Sequence, residues 1–131
     1  MTTHCPRCEG SQFSVSVPDE LMRYTASTAL ECCQRCLSVE PGDPDDVDAT
    51  PRWMTIHARF PTGTEGVAVL LLIERLDSLA LNRREIESLV EYLEANGVDI
   101  FLTLDRLVTT PEIEPFFDLG RRCDQLNALL D

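Results

Sequence analysis

"HCPRCEG" at residues 4–10 and "CCQRCLS" at 32–38 decide how the first third of this 131-residue chain is built. Each contains a Cys-x-x-Cys pair, Cys5 with Cys8 and Cys33 with Cys36. Each also has an arginine just before its second cysteine, Arg7 and Arg35. A two-residue loop lets both thiolates of a pair converge on one ion, so two such pairs predict a tetrahedral four-cysteine metal site. The stretch between them predicts a hairpin. Phe13, Val15 and Val17 alternate with Ser14 and Ser16 until Pro18, and a second strand is expected near residues 27–32. "DELMRYT" at 19–25 is expected to form one helical turn capped by Asp19.

The neighbouring Cys32 makes one ligand ambiguous. Cys33 keeps the two-residue spacing to Cys36 and is the expected ligand, with Cys32 a small buried residue. Zinc is the expected cofactor, though four thiolates also hold iron. A redox dithiol is a third reading, but such pairs follow a strand and open a helix, and no strand precedes residue 5. Four thiolates leave no coordination position for water or substrate, which points to a structural site and away from an enzyme. His4 is expected to be an exposed neighbour of the site, His57 a surface or packing residue, and Cys123 part of an apolar helix stripe.

Arg7 and Arg35 hold equivalent places in the two knuckles. A zinc ion with four thiolates is net negative, and nearby guanidinium groups offset that charge. The competing reading is a cationic tip for phosphate or carboxylate.

Charge sets a second bound. The chain has 23 acidic against 11 basic residues and a net charge of −12; every basic residue is arginine. The acids are scattered from Glu9 to Asp131, with one dense patch at Asp43, Asp45, Asp46 and Asp48. Dispersed acid without lysine suits molar salt, where the Debye length falls to about 3 Å and self-repulsion is screened. The same salt removes most of the electrostatic part of nucleic-acid binding, so charge discriminates poorly between partners. The longest apolar run, 67–73, is seven residues, against the ~20 needed to cross a bilayer. With no basic-then-apolar leader, the expectation is a cytoplasmic protein without membrane contact. There, paired cysteines point to metal rather than disulfides.

Composition divides the chain at "VEPGDPDDVDAT", 39–50, into a metal-binding module over 1–38, an acidic exposed linker, and a helical region over 51–131. In that region Thr50 and Pro51 read as N-cap and first position of a short helix with Trp53, Ile56 and Phe60 inward. "FPTGTEG" at 60–66 reads as a turn, and residues 66–81 as a central helix apolar nearly all round. Asn82 and Glu85 read as a capping box opening a helix with Ile86, Leu89, Val90 and Leu93 on one face, ended by Asn96 and Gly97. Asp99 caps a further helix with Ile100, Phe101, Leu104, Leu107 and Val108 inward, and Pro111 follows its end. Asp118 caps the last, with Leu119, Cys123, Leu126 and Leu130 aligned. The predicted fold class is α+β: a β-rich metal module followed by a bundle of four main helices and a shorter leading one. No Gly-rich phosphate loop, HExxH or Gly-x-Ser-x-Gly motif is present.

The "CPRC…CQRC" frame resembles a zinc ribbon, a broad class of structural modules in transcription, translation and adaptor proteins. The whole chain is also similar to a small haloarchaeal family of unknown function, through "CPRC", the acidic linker, "FPTGTEGVAV" at 60–69 and "LDSLALNRREIE" at 76–87. That resemblance implies a halophilic archaeal source and a ribbon-plus-helices layout; it carries no activity. The expected function is a non-enzymatic adaptor that binds another protein or itself. A nucleic-acid-binding regulator using Arg7 and Arg35 is the alternative.

Overall fold

A computed structural model describes residues 4–130. Three strands come first, β1 (Gln12–Ser16), β2 (Ala29–Cys33) and β3 (Val39–Pro41), and four helices follow: α1 (Gly63–Leu76), α2 (Arg83–Ala95), α3 (Ile100–Thr109) and α4 (Leu119–Leu130). The fold class is α+β. The strands form an antiparallel sheet in the order β1-β2-β3, with Phe13 opposite Cys32, Val15 opposite Leu30, and Cys32 opposite Val39.

The sheet extends into the segment read as an acidic linker, since Val39 pairs with Cys32 and is buried. The acids beyond it are partly structural. Asp43 accepts the backbone N–H of Asp45 and starts a 3-10 turn over Pro44–Asp46. The Asp48 carboxylate accepts the Ser14 N–H at 2.7 Å, and the Asp48 N–H donates to the Ser14 carbonyl. Open ladder groups on β1 are thereby satisfied, as an edge strand requires.

One apolar cluster joins sheet and helices. Phe13, Val15, Leu30, Cys32, Leu37 and Val39 belong to the same core as the apolar residues of α1 and α2. The sheet therefore does not rest on metal ligation alone, as a short strand module by itself would. α1 is the central element: Val69, Leu70, Leu71, Leu72 and Ile73 are all fully buried, as an all-round apolar helix requires. Tyr24 ties the strand module to α2 through a hydroxyl contact with Ser88.

Several helix boundaries differ from the sequence expectation. Residues 51–60 form no α-helix, only a 3-10 turn over Trp53–Thr55, although Trp53, Ile56 and Phe60 are all buried as expected. Trp53 stacks on Phe60 at 5.8 Å and meets Phe13 edge-on at 5.3 Å, so three- and four-residue spacing here reflects a packed aromatic loop. α1 begins at Gly63, inside the expected turn, and ends at Leu76, leaving Leu81 exposed. Asn82 forms no capping box. Its amide donates instead to the carbonyls of Ser78 and Arg75, closing the turn after α1, while Glu85 pairs with Arg75 at 2.8 Å. Asp19 lies inside its 3-10 turn, with Pro18 at the N-cap position.

Other caps form as read. Gly97 takes a φ of 82°, the Val98 N–H reaches the Leu93 carbonyl and the Gly97 N–H that of Glu94, a Schellman ending. The Asp99 carboxylate accepts from Leu102 N–H, and that of Asp118 from Arg121 N–H. On α3 the buried face is Ile100, Thr103, Leu104 and Leu107, while Val108 turns outward. Among the described residues no helix is long and apolar enough to cross a membrane.

Candidate metal centre

The two knuckles are near-copies of one backbone design. In the first, the Glu9 N–H bonds the Cys5 carbonyl at 2.8 Å and the Cys5 N–H bonds the Gly10 carbonyl at 2.7 Å. In the second, the Leu37 N–H bonds the Cys33 carbonyl at 3.1 Å and the Cys33 N–H bonds the Ser38 carbonyl at 3.0 Å. The residue after the second cysteine has positive φ in both, 64° at Glu9 and 61° at Leu37. These are costly conformations for side chains with a Cβ, and in both knuckles backbone N–H groups face sulfur. Arg7 N–H points at Cys5 Sγ (3.3 Å), Gly10 N–H at Cys8 Sγ (3.4 Å), and the N–H groups of Arg35 and Cys36 at Cys33 Sγ (3.4 Å each).

Glu9 is exposed, so its strained φ is not repaid by packing. Glu9→Gly is expected to stabilise the protein by about 0.5–1 kcal/mol, the αL penalty less the extra entropy of glycine in the unfolded chain. A higher urea midpoint at unchanged slope checks this; an unchanged or lower midpoint would contradict it.

Cys5, Cys8, Cys33 and Cys36 bring their sulfurs within 4.8 Å of one another. Cys5 and Cys36 are 3.6 Å apart, Cys8 and Cys33 3.5 Å. A tetrahedron with Zn–S near 2.3 Å has edges of about 3.8 Å, so the donor set fits a single tetrahedral ion. Gly10 sits where the knuckles meet. A Cβ there would lie 2.9 Å from Arg35 Cβ and 3.2 Å from the sulfurs of Cys8 and Cys33.

Cys32 stands apart. Successive strand residues face opposite sides of a sheet, and Cys32 is in the apolar core while Cys33 joins the sulfur cluster. Burial, with the neighbouring cysteines, pushes the Cys32 thiol well up, so it stays protonated. Burial also raises the thiol of Cys33, to about 12, and that of Cys36. At Cys5 burial acts the same way but is outweighed by hydrogen bonds from the Ser38 hydroxyl and the N–H groups of Arg7 and Cys8, which bring it to about 6. Cys123 is half-buried on α4, and burial, helped by Asp124 and Asp105, raises its thiol to about 11. His57 accepts the Arg59 N–H through Nδ1, a local turn contact. His4 is exposed and forms a backbone bridge with Ser11.

The two arginines are exposed, but each already has a partner within the chain. The loop between α3 and α4 supplies both. Glu114 binds Arg35 at 3.0 Å, the Glu114 N–H donates to the Arg35 carbonyl at 2.7 Å, and the Phe116 N–H donates to the Cys36 carbonyl at 3.1 Å. Arg7 lies over the Phe116 ring at 4.4 Å, and Phe116 packs on the cysteine cluster. The sequence reading missed Ser38, Gly10, Glu114 and Phe116. The one local signal for the last two is the apolar content of "PEIEPFFD" at 111–118, too high for a solvated connection.

With this geometry established, comparison with known proteins adds one relationship. The chain belongs to a family of unknown function, DUF6276, whose family model matches residues 4–130. No curated protein and no solved structure matches it.

Proposed function

We propose that this family member is a non-enzymatic zinc-binding adaptor, in which a structural four-cysteine zinc site fixes a surface for another protein or a second copy of itself. The observation that carries this reading is the convergence of four sulfurs within 4.8 Å, two from each knuckle. Cys5, Cys8, Cys33 and Cys36 would hold the ion, and its role there is to cross-link two loops far apart in sequence. Nearby N–H groups and the two arginines would offset the charge of the four thiolates. An open groove of about 440 Å³ beside Trp53 offers little chemistry: its sole titratable lining residue is Asp48, already bonded to Ser14. The lysine-free, dispersed acidity supports a halophilic source, and the paired free cysteines suit a reducing, cytoplasmic setting.

Nucleic-acid recognition through Arg7 and Arg35 is the less supported reading, since Phe116 and Glu114 already engage those side chains. Retention on immobilised nucleic acid is expected to stay at background in roughly 1–3 M salt, and Arg7→Ala with Arg35→Ala should change nothing. Sequence-dependent retention in that salt, lost in the double variant at normal metal content, would reverse the ranking. Cross-linking in native high-salt lysate should recover a stoichiometric protein partner or a homo-oligomer.

A further inference from the structure

The loop over residues 110–118 touches both apolar regions, the main core and the cysteine cluster. Phe116 packs on the cysteines, while Ile113 and Phe117 belong to the main core or pack on it. Phe116 and Phe117 touch edge-on at 5.0 Å, so one aromatic pair spans both. The loop's two N–H contacts end on carbonyls of the second knuckle itself, Arg35 and Cys36. Both carbonyls lie in the turn whose ends, Cys33 and Cys36, would be tied to the ion, beside the backbone bonds from Leu37 to Cys33 and from Cys33 to Ser38.

We propose that this loop is a metal-linked latch: occupancy of the four-cysteine site holds Glu114 and Phe116 down, and loss of the metal releases them and frees the α3–α4 corner. The inference rests on the metal reading above. Most of the holding is assigned to Phe116 and the two backbone bonds, because the Arg35–Glu114 pair is about half exposed on both sides and such pairs contribute little. Coupling between sites is reciprocal. If metal orders the loop, the docked loop must tighten metal binding by the same factor.

Two measurements on the full chain test the latch from both directions. Amide hydrogen exchange is followed in zinc-loaded protein and after zinc removal by a chelator. The Glu114 and Phe116 amides should exchange at least about tenfold faster without zinc, while the α1 amides stay protected. Independently, the Glu114→Ala/Phe116→Ala variant, compared in its loaded form, should keep one zinc per chain. It should yield that zinc to a competing chelator at a measurably lower affinity, by no more than the factor read from loop exchange, because the two backbone bonds remain. Unchanged loop exchange, unchanged zinc affinity in the double variant, or α1 exchange rising in step with the loop would each overturn the latch. Failure to take up zinc at all would sink the metal reading and the latch together, whereas normal uptake with an indifferent loop sinks the latch alone.

Discussion

Cys36→Ser should leave the protein folded but unable to keep its metal. The Cys36 sulfur lies 3.6 Å from Cys5 in the cluster, and a neutral hydroxyl is a poor replacement for a thiolate ligand. Removing groups that merely orient a metal ligand typically weakens binding 10–100-fold; removing a ligand should lower zinc affinity by at least about 100-fold. In small isolated zinc modules such a loss unfolds the chain. Here the sheet shares its core with α1, and Phe13, Val15, Leu30 and Leu37 are at most 3% exposed. Disorder should therefore stop at the knuckles and the loop that rests on them. The measurement pairs metal content with far-UV circular dichroism. Stoichiometric zinc in the variant would contradict the ligand assignment, and a collapsed helical signal would contradict the shared core.

The second large effect is expected at a residue with no chemistry. Gly66 lies in the first turns of α1, where Gly→Ala ordinarily stabilises a helix by about 1 kcal/mol. At this position the sign should reverse. An added Cβ would lie 2.6 Å from the Pro61 carbonyl oxygen and 3.0 Å from two atoms of the Trp53 ring. A backbone carbonyl cannot step aside cheaply. Trp53 is itself pinned between Phe13 and Phe60. Overpacking of this kind costs about 1–3 kcal/mol, and more when backbone must move, so the net effect of Gly66→Ala should be a destabilisation of about 2 kcal/mol. Trp53 is the chain's single tryptophan, so its fluorescence reports the site directly. A red-shifted emission with a lowered denaturation midpoint is the expected outcome. A midpoint raised by an amount typical of helix propensity would show that Trp53 does not lie on Gly66.

What could be read from the sequence was whatever the chain encodes locally. Cys-x-x-Cys spacing is a property of one turn, the alternation at Phe13, Val15 and Val17 one of a single strand, and the Asn96–Gly97 ending one of a single helix terminus. The cysteine cluster and the Gly97 ending appear where the sequence places them; β1 covers Phe13 and Val15 but stops at Ser16, and Ser14 is buried as well. The misreadings arose where a local pattern has two structural solutions. Trp53, Ile56 and Phe60 have helical spacing, but Pro51 and Pro61 bracket a segment too short to repay helix nucleation, and the aromatics are buried from a loop instead. Asn82 can cap the helix after it or the turn before it, and its amide takes the carbonyls of Ser78 and Arg75.

The latch was illegible for a different reason. Arg35 and Glu114 are 79 residues apart, and nothing in the spacing of either reveals the other. Sequence spacing alone leaves both knuckle arginines as a free cationic tip; the loop supplies each with a partner while leaving both exposed. The charge composition invites a partner; the tertiary contact shows that the first partner is the chain itself.

What the four sulfurs hold decides whether the knuckles are a metal centre. X-ray absorption at the metal edge of protein purified without added metal measures identity, ligand type and distance together. The expected result is about one zinc per chain with four sulfur neighbours near 2.3 Å and no lighter ligand. An iron edge would keep the knuckles but replace the cofactor. A site with oxygen or nitrogen in the first sphere, or a chain that neither carries metal nor takes it up when thiols are kept reduced, would contradict the central claim.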